Sequence, residues 1–222
     1  MEKNNSTGDC DNTTCSNTAT HNAPIEAYVF MGCKHCGKST QGRALAEKIG
    51  AAFYDIDEEI EKNTGLSPRR LYNEKGREAF MEAEIESCQN LADAFDHQKR
   101  IVISTGGGIC DNDEAIAVLQ GIKLCLCGNM TGSLKYVYLR LPVEYSVNRI
   151  MENVHETEPG VFSGVPAYIN SFASLQEIKE KITSKLTERT DKYEKLADIA
   201  VDIKNAPIEE NFNTILGALN II

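Results

Sequence analysis

Residues Gly32-Cys33-Lys34-His35-Cys36-Gly37-Lys38-Ser39-Thr40 fit two kinds of chemistry at once. The spacing G-x-x-x-x-G-K-S describes a loop that holds phosphates. Backbone N–H groups and a helix N-terminus face the anion, a lysine reaches the β- and γ-phosphates, and a hydroxyl ligates Mg2+. Here the lysine is Lys38 and the hydroxyl is Ser39. Cys33 and Cys36 in the same loop form a C-x-x-C pair, a spacing used by zinc sites and redox dithiols. Structural zinc usually takes four ligands. Neither Cys10 with Cys15 nor Cys125 with Cys127 makes a good second pair. A dithiol role would leave Lys38 and Ser39 unexplained. The stretch is read as a phosphate cradle formed by Gly32 to Thr40, with the two thiols incidental to it.

Two further groups could do chemistry. In "FYDIDEEIE", Asp55 and Asp57 alternate at the end of an expected strand. That position is the carboxyl edge of a sheet, where α/β sites lie. One carboxylate there can hold Mg2+ through water and the other can orient or deprotonate a hydroxyl. A solvated acidic strand end reads equally well. Gly106-Gly107-Gly108 follow "IVIST". They suit either a close ligand approach to backbone N–H groups or a plain turn.

The elements that must position these residues alternate along the chain. "IEAYVFMG" reads as a buried strand and Ser39 to Ile49 as a helix. "AAFYDID" is a second strand. "SPRRLYNEKGREAFMEAEIESCQNLADAF" is a long helix broken near Gly76. "RIVIST" is a third strand, Asp111 to Leu119 a helix, "KYVYLRL" a strand and Val143 to Glu152 a helix. Residues 122–134 suggest an extra strand and turn. Residues from about 151 to 172 carry Gly and Pro without a period and are expected to form a loop or lid. Ser174 to Lys195 is a helix, "DIAVDI" a strand, and Ile208 to Leu219 a closing helix. This alternation predicts βαβ units and a mostly parallel sheet.

The 222 residues suffice for one domain with a proper core. Residues 1–24 are rich in Asn, Thr and Ser and are expected to be a disordered tail, leaving 25–222 as the domain. A net charge of −10 argues against a nucleic-acid partner. No apolar run approaches the roughly 20 residues of a membrane span, so no membrane partner is expected. Eight cysteines without a secretion signal read as reduced thiols in a cytoplasmic protein.

Taken in order, "GxxxxGKST", "FYDIDEEIE", "GREAFxxxE", "STGGG" and "LTERTDKYEKLADIAVDI" resemble the shikimate kinase family over nearly all of residues 26–220. The resemblance implies an α/β P-loop kinase fold, with a five-stranded parallel sheet flanked by helices and a mobile lid. It implies ATP and Mg2+ as cofactors, transfer of the γ-phosphoryl group to a hydroxyl of shikimate, and a small-molecule enzyme expected to be monomeric. Carried over residue by residue, Lys38 would hold the β/γ-phosphates and Ser39 would ligate Mg2+, with Asp55 reaching the metal through water. Asp57 would bind the substrate hydroxyls and act as base. Gly106, Gly107 and Gly108 would line the acceptor pocket. Arg189 would bind the shikimate carboxylate, and Arg149 would stack on the nucleotide.

Three departures accompany the match. Met81 stands where the family has an Arg that clamps the substrate carboxylate, and Arg77, four residues earlier, is the candidate replacement. The family's lid carries an Arg, whereas residues 150–172 contain neither Arg nor Lys. Arg69, Arg70 and Arg77 are the candidate cations there. His35 replaces a Gly at a position expected to need positive φ, which His tolerates better than most residues. These departures keep two other readings open. One is a kinase of another small hydroxylated metabolite. The other is a relative that binds nucleotide but transfers little phosphate.

Overall fold

The computed structural model describes residues 25–97, 99–128 and 132–222. The expected tail, residues 1–24, lies outside the described residues.

Strand β1 (Ile25–Met31) is the middle of the sheet because its sequence is apolar on both faces. Ala27, Val29 and Met31 face one layer while Tyr28 and Phe30 face the other, the period of two that a strand imposes. Val29, Phe30 and Met31 have no exposed surface, and burying such side chains is worth about 1.5–3 kcal/mol each. Helix α1 (Lys38–Ile49) follows β1, then β2 (Ala52–Asp55), α2 (Ile56–Thr64) and α3 (Pro68–His97). Strand β3 (Arg100–Ser104), a 3-10 turn at Ile109–Asp111, α4 (Asp113–Gly128) and β4 (Gly132–Arg140) come next. The chain closes with α5 (Val143–Met151), β5 (His155–Glu158), β6 (Val161–Ser163), α6 (Leu175–Leu196), β7 (Ile199–Asp202) and α7 (Ile208–Leu219).

The five-stranded sheet has the order β2-β3-β1-β4-β7 and every pairing in it is parallel. β1 therefore lies between β3 and β4, at the point where the strand order changes direction. The crevice outside the carboxyl end of such a strand is the usual ligand site of open α/β sheets. Helices α1 and α7 supply the core on one face, through Leu45, Ala46, Ile215 and Leu219. Helices α2, α3, α4 and α6 cover the other, through Ile60, Leu91, Leu119 and Ile182. Among the described residues no helix is long and apolar enough to cross a membrane.

Local chemistry sets the boundaries that matter for the site. The α3 sequence breaks at Gly76, whose φ of 91° and ψ of 175° are open to glycine and strained for other residues. Ser174 caps α6 by accepting from Glu177 N–H at 3.2 Å, and the Glu177 carboxylate accepts from Ala173 N–H at 2.9 Å, a reciprocal arrangement close to a capping box.

Three expectations need correction. Asp57 is not on the strand: β2 stops at Asp55, and the Asp55 carboxylate accepts from Asp57 N–H at 3.0 Å and starts a helix there. Among the described residues the stretch 122–134 adds no extra strand before β4, because α4 runs on to Gly128 and β4 itself begins at Gly132. Spacings of four and seven residues (Ala115, Leu119, Leu126 among its buried residues) let the apolar run continue as helix. The lid segment is not irregular throughout, since β5 and β6 pair as an antiparallel hairpin closed by Gly160 at φ 77°.

Candidate active site

The phosphate loop owes its shape to three positive φ values. Gly32 has φ 147°, His35 has φ 66° and Gly37 has φ 93°. A Cβ on Gly32 would meet Leu139 O at 2.7 Å, so only glycine fits there. His35 adopts the left-handed conformation expected of that position. Gly37 precedes α1 directly, and the first turn of α1 carries no acidic residue. The N–H groups of that turn have no partner within the helix, which leaves them for an anion. Lys38 is buried, and its ammonium donates to Cys33 O at 3.1 Å and lies 3.9 Å from Cys36 Sγ. Ser39 Oγ is 3.2 Å from Ser104 Oγ at the end of β3.

Cys33 and Cys36 are buried thiols that belong to different apolar clusters, on opposite faces of the sheet. Burial, with Cys36 nearby, pushes the Cys33 thiol up to about 11, away from the thiolate that redox exchange and metal binding require. Incidental thiols in a phosphate loop describe these two residues best.

A cleft lies on the outer side of the loop, lined by His35, Gly37, Thr40 and Arg149 together with Ile203 and Lys204 beyond β7. Arg149 Nη1 donates to His35 O and Nη2 donates to Asn205 Oδ1 at 2.8 Å. The guanidinium thus ties the loop to the segment after β7. Gln41 Nε2 donates to Ile208 O at 3.0 Å and closes the same region against α7.

On the inner side stand the carboxylates and the glycines. Asp55 is the register partner of Ser104 in the β2/β3 pairing, and Ser104 touches Ser39. One hydroxyl and one buried carboxylate, Ser39 and Asp55, therefore converge at this edge. That small donor set suits Mg2+, which keeps several waters and takes further ligands from substrate phosphates. Among the described residues no cluster of three or more His, Cys, Asp or Glu offers a fuller cage.

Asp57 lies in the first turn of α2. Burial and the neighbouring Asp55 hold its carboxyl above the usual Asp range, against the opposing charges of Lys38 and Lys34. The point where a Cβ on Gly106 would lie is 3.0 Å from Asp57 Oδ1 and 3.1 Å from Glu84 Oε1. Glu84 is 1% exposed, and its Oε2 accepts from Asn112 Nδ2 at 2.9 Å while Oε1 has no partner among the described residues. Burial pushes Glu84 up to about 7, with the Asn112 hydrogen bond acting against the rise and Asp57 adding to it.

Arg189 comes from the buried stripe of α6, Ile178, Ile182, Leu186, Arg189 and Tyr193. Its Nε donates to Asp111 Oδ2 at 2.9 Å and its Nη1 to Gly107 O at 3.1 Å. Its guanidinium carbon sits 4.5 Å over the ring of Tyr168, in the segment expected to form the lid. Lys192 donates to Asp111 Oδ1 at 2.7 Å and Lys185 lies 3.2 Å from Oδ2. Burial works against the charge of Asp111, but the Lys192 hydrogen bond and the charge of Arg189 outweigh it and leave the carboxyl at about 2.

The fold thus gathers Lys38, Ser39, Asp55, Asp57, Gly106, Gly107, Gly108 and Arg189 at one edge of the sheet, with Arg149 on the outer side of the loop. It does not gather Arg77, which is exposed just after the Gly76 break and makes no hydrogen bond or ion pair among the described residues. Arg70 pairs with Glu74 at 2.9 Å, while Arg69 Nη2 donates to Val165 O of the lid at 3.1 Å. Sequence reading gave no role to Glu84, Asp111 or Tyr168. The signals available for Glu84 were its place as the closing acid of "GREAFxxxE" and its position in the apolar stripe with Ala83, Cys88 and Leu91.

The comparisons with known proteins agree with one another. A family model described as Shikimate kinase matches residues 34–220. A shikimate kinase of Chlorobaculum parvum is 30% identical, covering 79% of this chain and 82% of its own length. The crystal structure of shikimate kinase from Aquifex aeolicus is 28% identical with a TM-score of 0.61, covering 88% of this chain and 96% of that one. Shikimate kinase from Acinetobacter baumannii, solved in complex with shikimate, has the same fold, with a TM-score of 0.65 at 23% identity over 90% of this chain and 94% of that one.

Proposed function

This chain belongs to the shikimate kinase family, and from that premise we propose that it transfers the γ-phosphoryl group of ATP to a ring hydroxyl of shikimate. The observation that carries the reading is the setting of Asp57. It stands at the seam between a loop built for phosphates and a pocket floored by three glycines, with the cation Arg189 beyond them.

The donor side binds ATP through the N–H groups of Gly32 to Thr40, with Lys38 on the β- and γ-phosphates. Arg149 packs against the base. Ser39, and Asp55 through water, would hold Mg2+, which when bound supplies positive charge to the same phosphates. On the acceptor side Arg189 takes the shikimate carboxylate, and Gly106, Gly107 and Gly108 allow the ring to approach the backbone. Asp57 accepts the proton of the attacking hydroxyl. Its raised affinity for a proton makes it a better base than an exposed Asp. The acceptor oxygen then bonds to the γ-phosphorus as the bond to the β–γ bridging oxygen breaks, and ADP leaves.

The test is ADP release by the purified chain with ATP, Mg2+ and shikimate. Asp57→Asn is expected to lower kcat by about 10²–10⁴-fold, the usual contribution of a positioned base. Absence of shikimate-dependent ADP release in the unaltered protein would overturn the reading.

A further inference from the structure

Charge spreads over the equatorial oxygens of a phosphoryl group in transfer, and fixed cations stabilise it. Lys38 is one such cation. Residues 150–172, which fold as the lid over the acceptor side, contribute neither Lys nor Arg. We propose that Lys34 supplies the second cation, as a catalytic residue whose ammonium contacts the γ-phosphoryl group while it passes from the nucleotide to the acceptor. The proposal rests on the phosphotransferase reading given above.

Position is the first argument. The backbone of Lys34 lies directly against the triple glycine: the point where a Cβ on Gly107 would lie is 2.9 Å from Lys34 N and 3.3 Å from Lys34 Cβ. The side chain therefore leaves the chain at the line where donor loop and acceptor loop meet.

Surroundings are the second argument. The charges that act on the Lys34 ammonium come from Asp57, Lys38 and Arg69, that is, from the base, the phosphate lysine and the residue that holds Val165 of the lid. Burial and then Arg69 push its ammonium below the ordinary lysine value, with Asp57 opposing them. A cation held among like charges and partly out of water gains more from an arriving anion than a solvated lysine does.

Availability is the third. Lys38, Arg69, Arg149 and Arg189 all donate to protein atoms. Lys34 is exposed and makes no hydrogen bond or ion pair among the described residues. Its position in the loop also puts its ammonium on a short, well-anchored stretch of backbone, whereas a lid residue must be brought in by closure.

The chemical step balances without a proton from Lys34. The bond between the γ-phosphorus and the β–γ bridging oxygen breaks, the bond from phosphorus to the acceptor oxygen forms, the hydroxyl proton passes to Asp57, and ADP departs. Lys34 stays protonated, and its N–H groups draw closer to the equatorial oxygens at the transition state.

Lys34→Met and Lys34→Arg test this. Lys34→Met is expected to lower kcat with shikimate by about 10²–10³-fold, the effect of removing one preorganised donor. The KM values for ATP and shikimate should each move less than threefold, and Lys34→Arg should recover to within tenfold of the unaltered kcat. In parallel, Lys34→Met should weaken binding of ADP with aluminium fluoride and Mg2+ at least tenfold and leave binding of ADP alone unchanged. A kcat within threefold of the unaltered protein, or a loss confined to KM, overturns the proposal. If the unaltered protein does not turn over shikimate, the acceptor reading falls, and the aluminium fluoride comparison by itself decides the fate of Lys34.

Discussion

The two sides of the cleft are built from different materials. On the nucleotide side one continuous loop does the work, its turns set by the positive φ of Gly32, His35 and Gly37. On the acceptor side Asp57, Glu84, Asp111 and Arg189 arrive from separate elements, with Arg189 held on Asp111 by charge and a hydrogen bond and Glu84 held by Asn112. A loop held by backbone geometry depends on its turn residues, and the side chains of Cys33 and Cys36 only pack into the core behind it. A pocket held by side chains can exchange one contact for another. Two of the three departures lie there, Met81 in place of a cation and a lid segment without Arg or Lys, while His35 in the loop keeps the positive φ that its position requires.

The comparison is sharpened most by Arg189→Met. Removing a charge-assisted hydrogen bond to the acceptor costs about 1.5–3 kcal/mol, so the KM for shikimate should rise by about 10–100-fold. The KM for ATP should stay within twofold, because among the described residues no hydrogen bond joins Arg189 to the phosphate loop. An equal rise in both constants, read from initial rates with each substrate varied, would show that the two sides are one cooperative unit and break the contrast.

The same contrast explains what the sequence reveals. The strand–loop–helix of the phosphate site is contiguous, so its spacing alone locates Lys38 and Ser39, and even the positive φ of His35 follows from the pattern. Closing helix α7 at Ile208–Leu219 is read correctly because its apolar period is clean. The acceptor side is legible only in pieces. The Asp55 cap that turns the chain into α2 depends on one side-chain hydrogen bond, and a strand-period reading carries Asp57 past it. Glu84 and Arg189 each sit in an otherwise apolar helical stripe, and what meets them across the core is set by tertiary packing. The partnership of Asp111 with Arg189 joins α6 to the turn before α4, and no local pattern announces it.

A smaller effect separates a tuned acid from a merely tolerated one. Glu84 has its ordinary value of 4.5 in the unfolded chain and about 7 in the folded one, so folding favours its protonated form. Its contribution is therefore best below pH 4.5, falls as pH rises from 4.5 to about 7, and is flat above that. The loss across that window is about 3 kcal/mol from the size of the shift. Glu84→Gln carries no charge at any pH and keeps an oxygen for Asn112. Its stability in urea should match the unaltered protein at pH 4 and exceed it by up to about 3 kcal/mol at pH 8. A constant difference across that range would mean that Glu84 is ionised in the fold and finds a partner on the acceptor side.

The smallest effect is expected at Arg77. If an exposed residue replaced the cation missing at Met81, the acceptor pocket would extend past the Gly76 break onto the outer surface of α3. Arg77 has no hydrogen bond or ion pair among the described residues, and one exposed charge contributes about 0–1 kcal/mol in water. Arg77→Ala should therefore change the KM for shikimate less than twofold and leave kcat unaltered. A several-fold rise in that KM would move Arg77 into the pocket. It would also make the acceptor side wider than Asp57, Gly107 and Arg189 define it, because α3 would then have to carry a charge from solvent to the substrate when the acceptor binds.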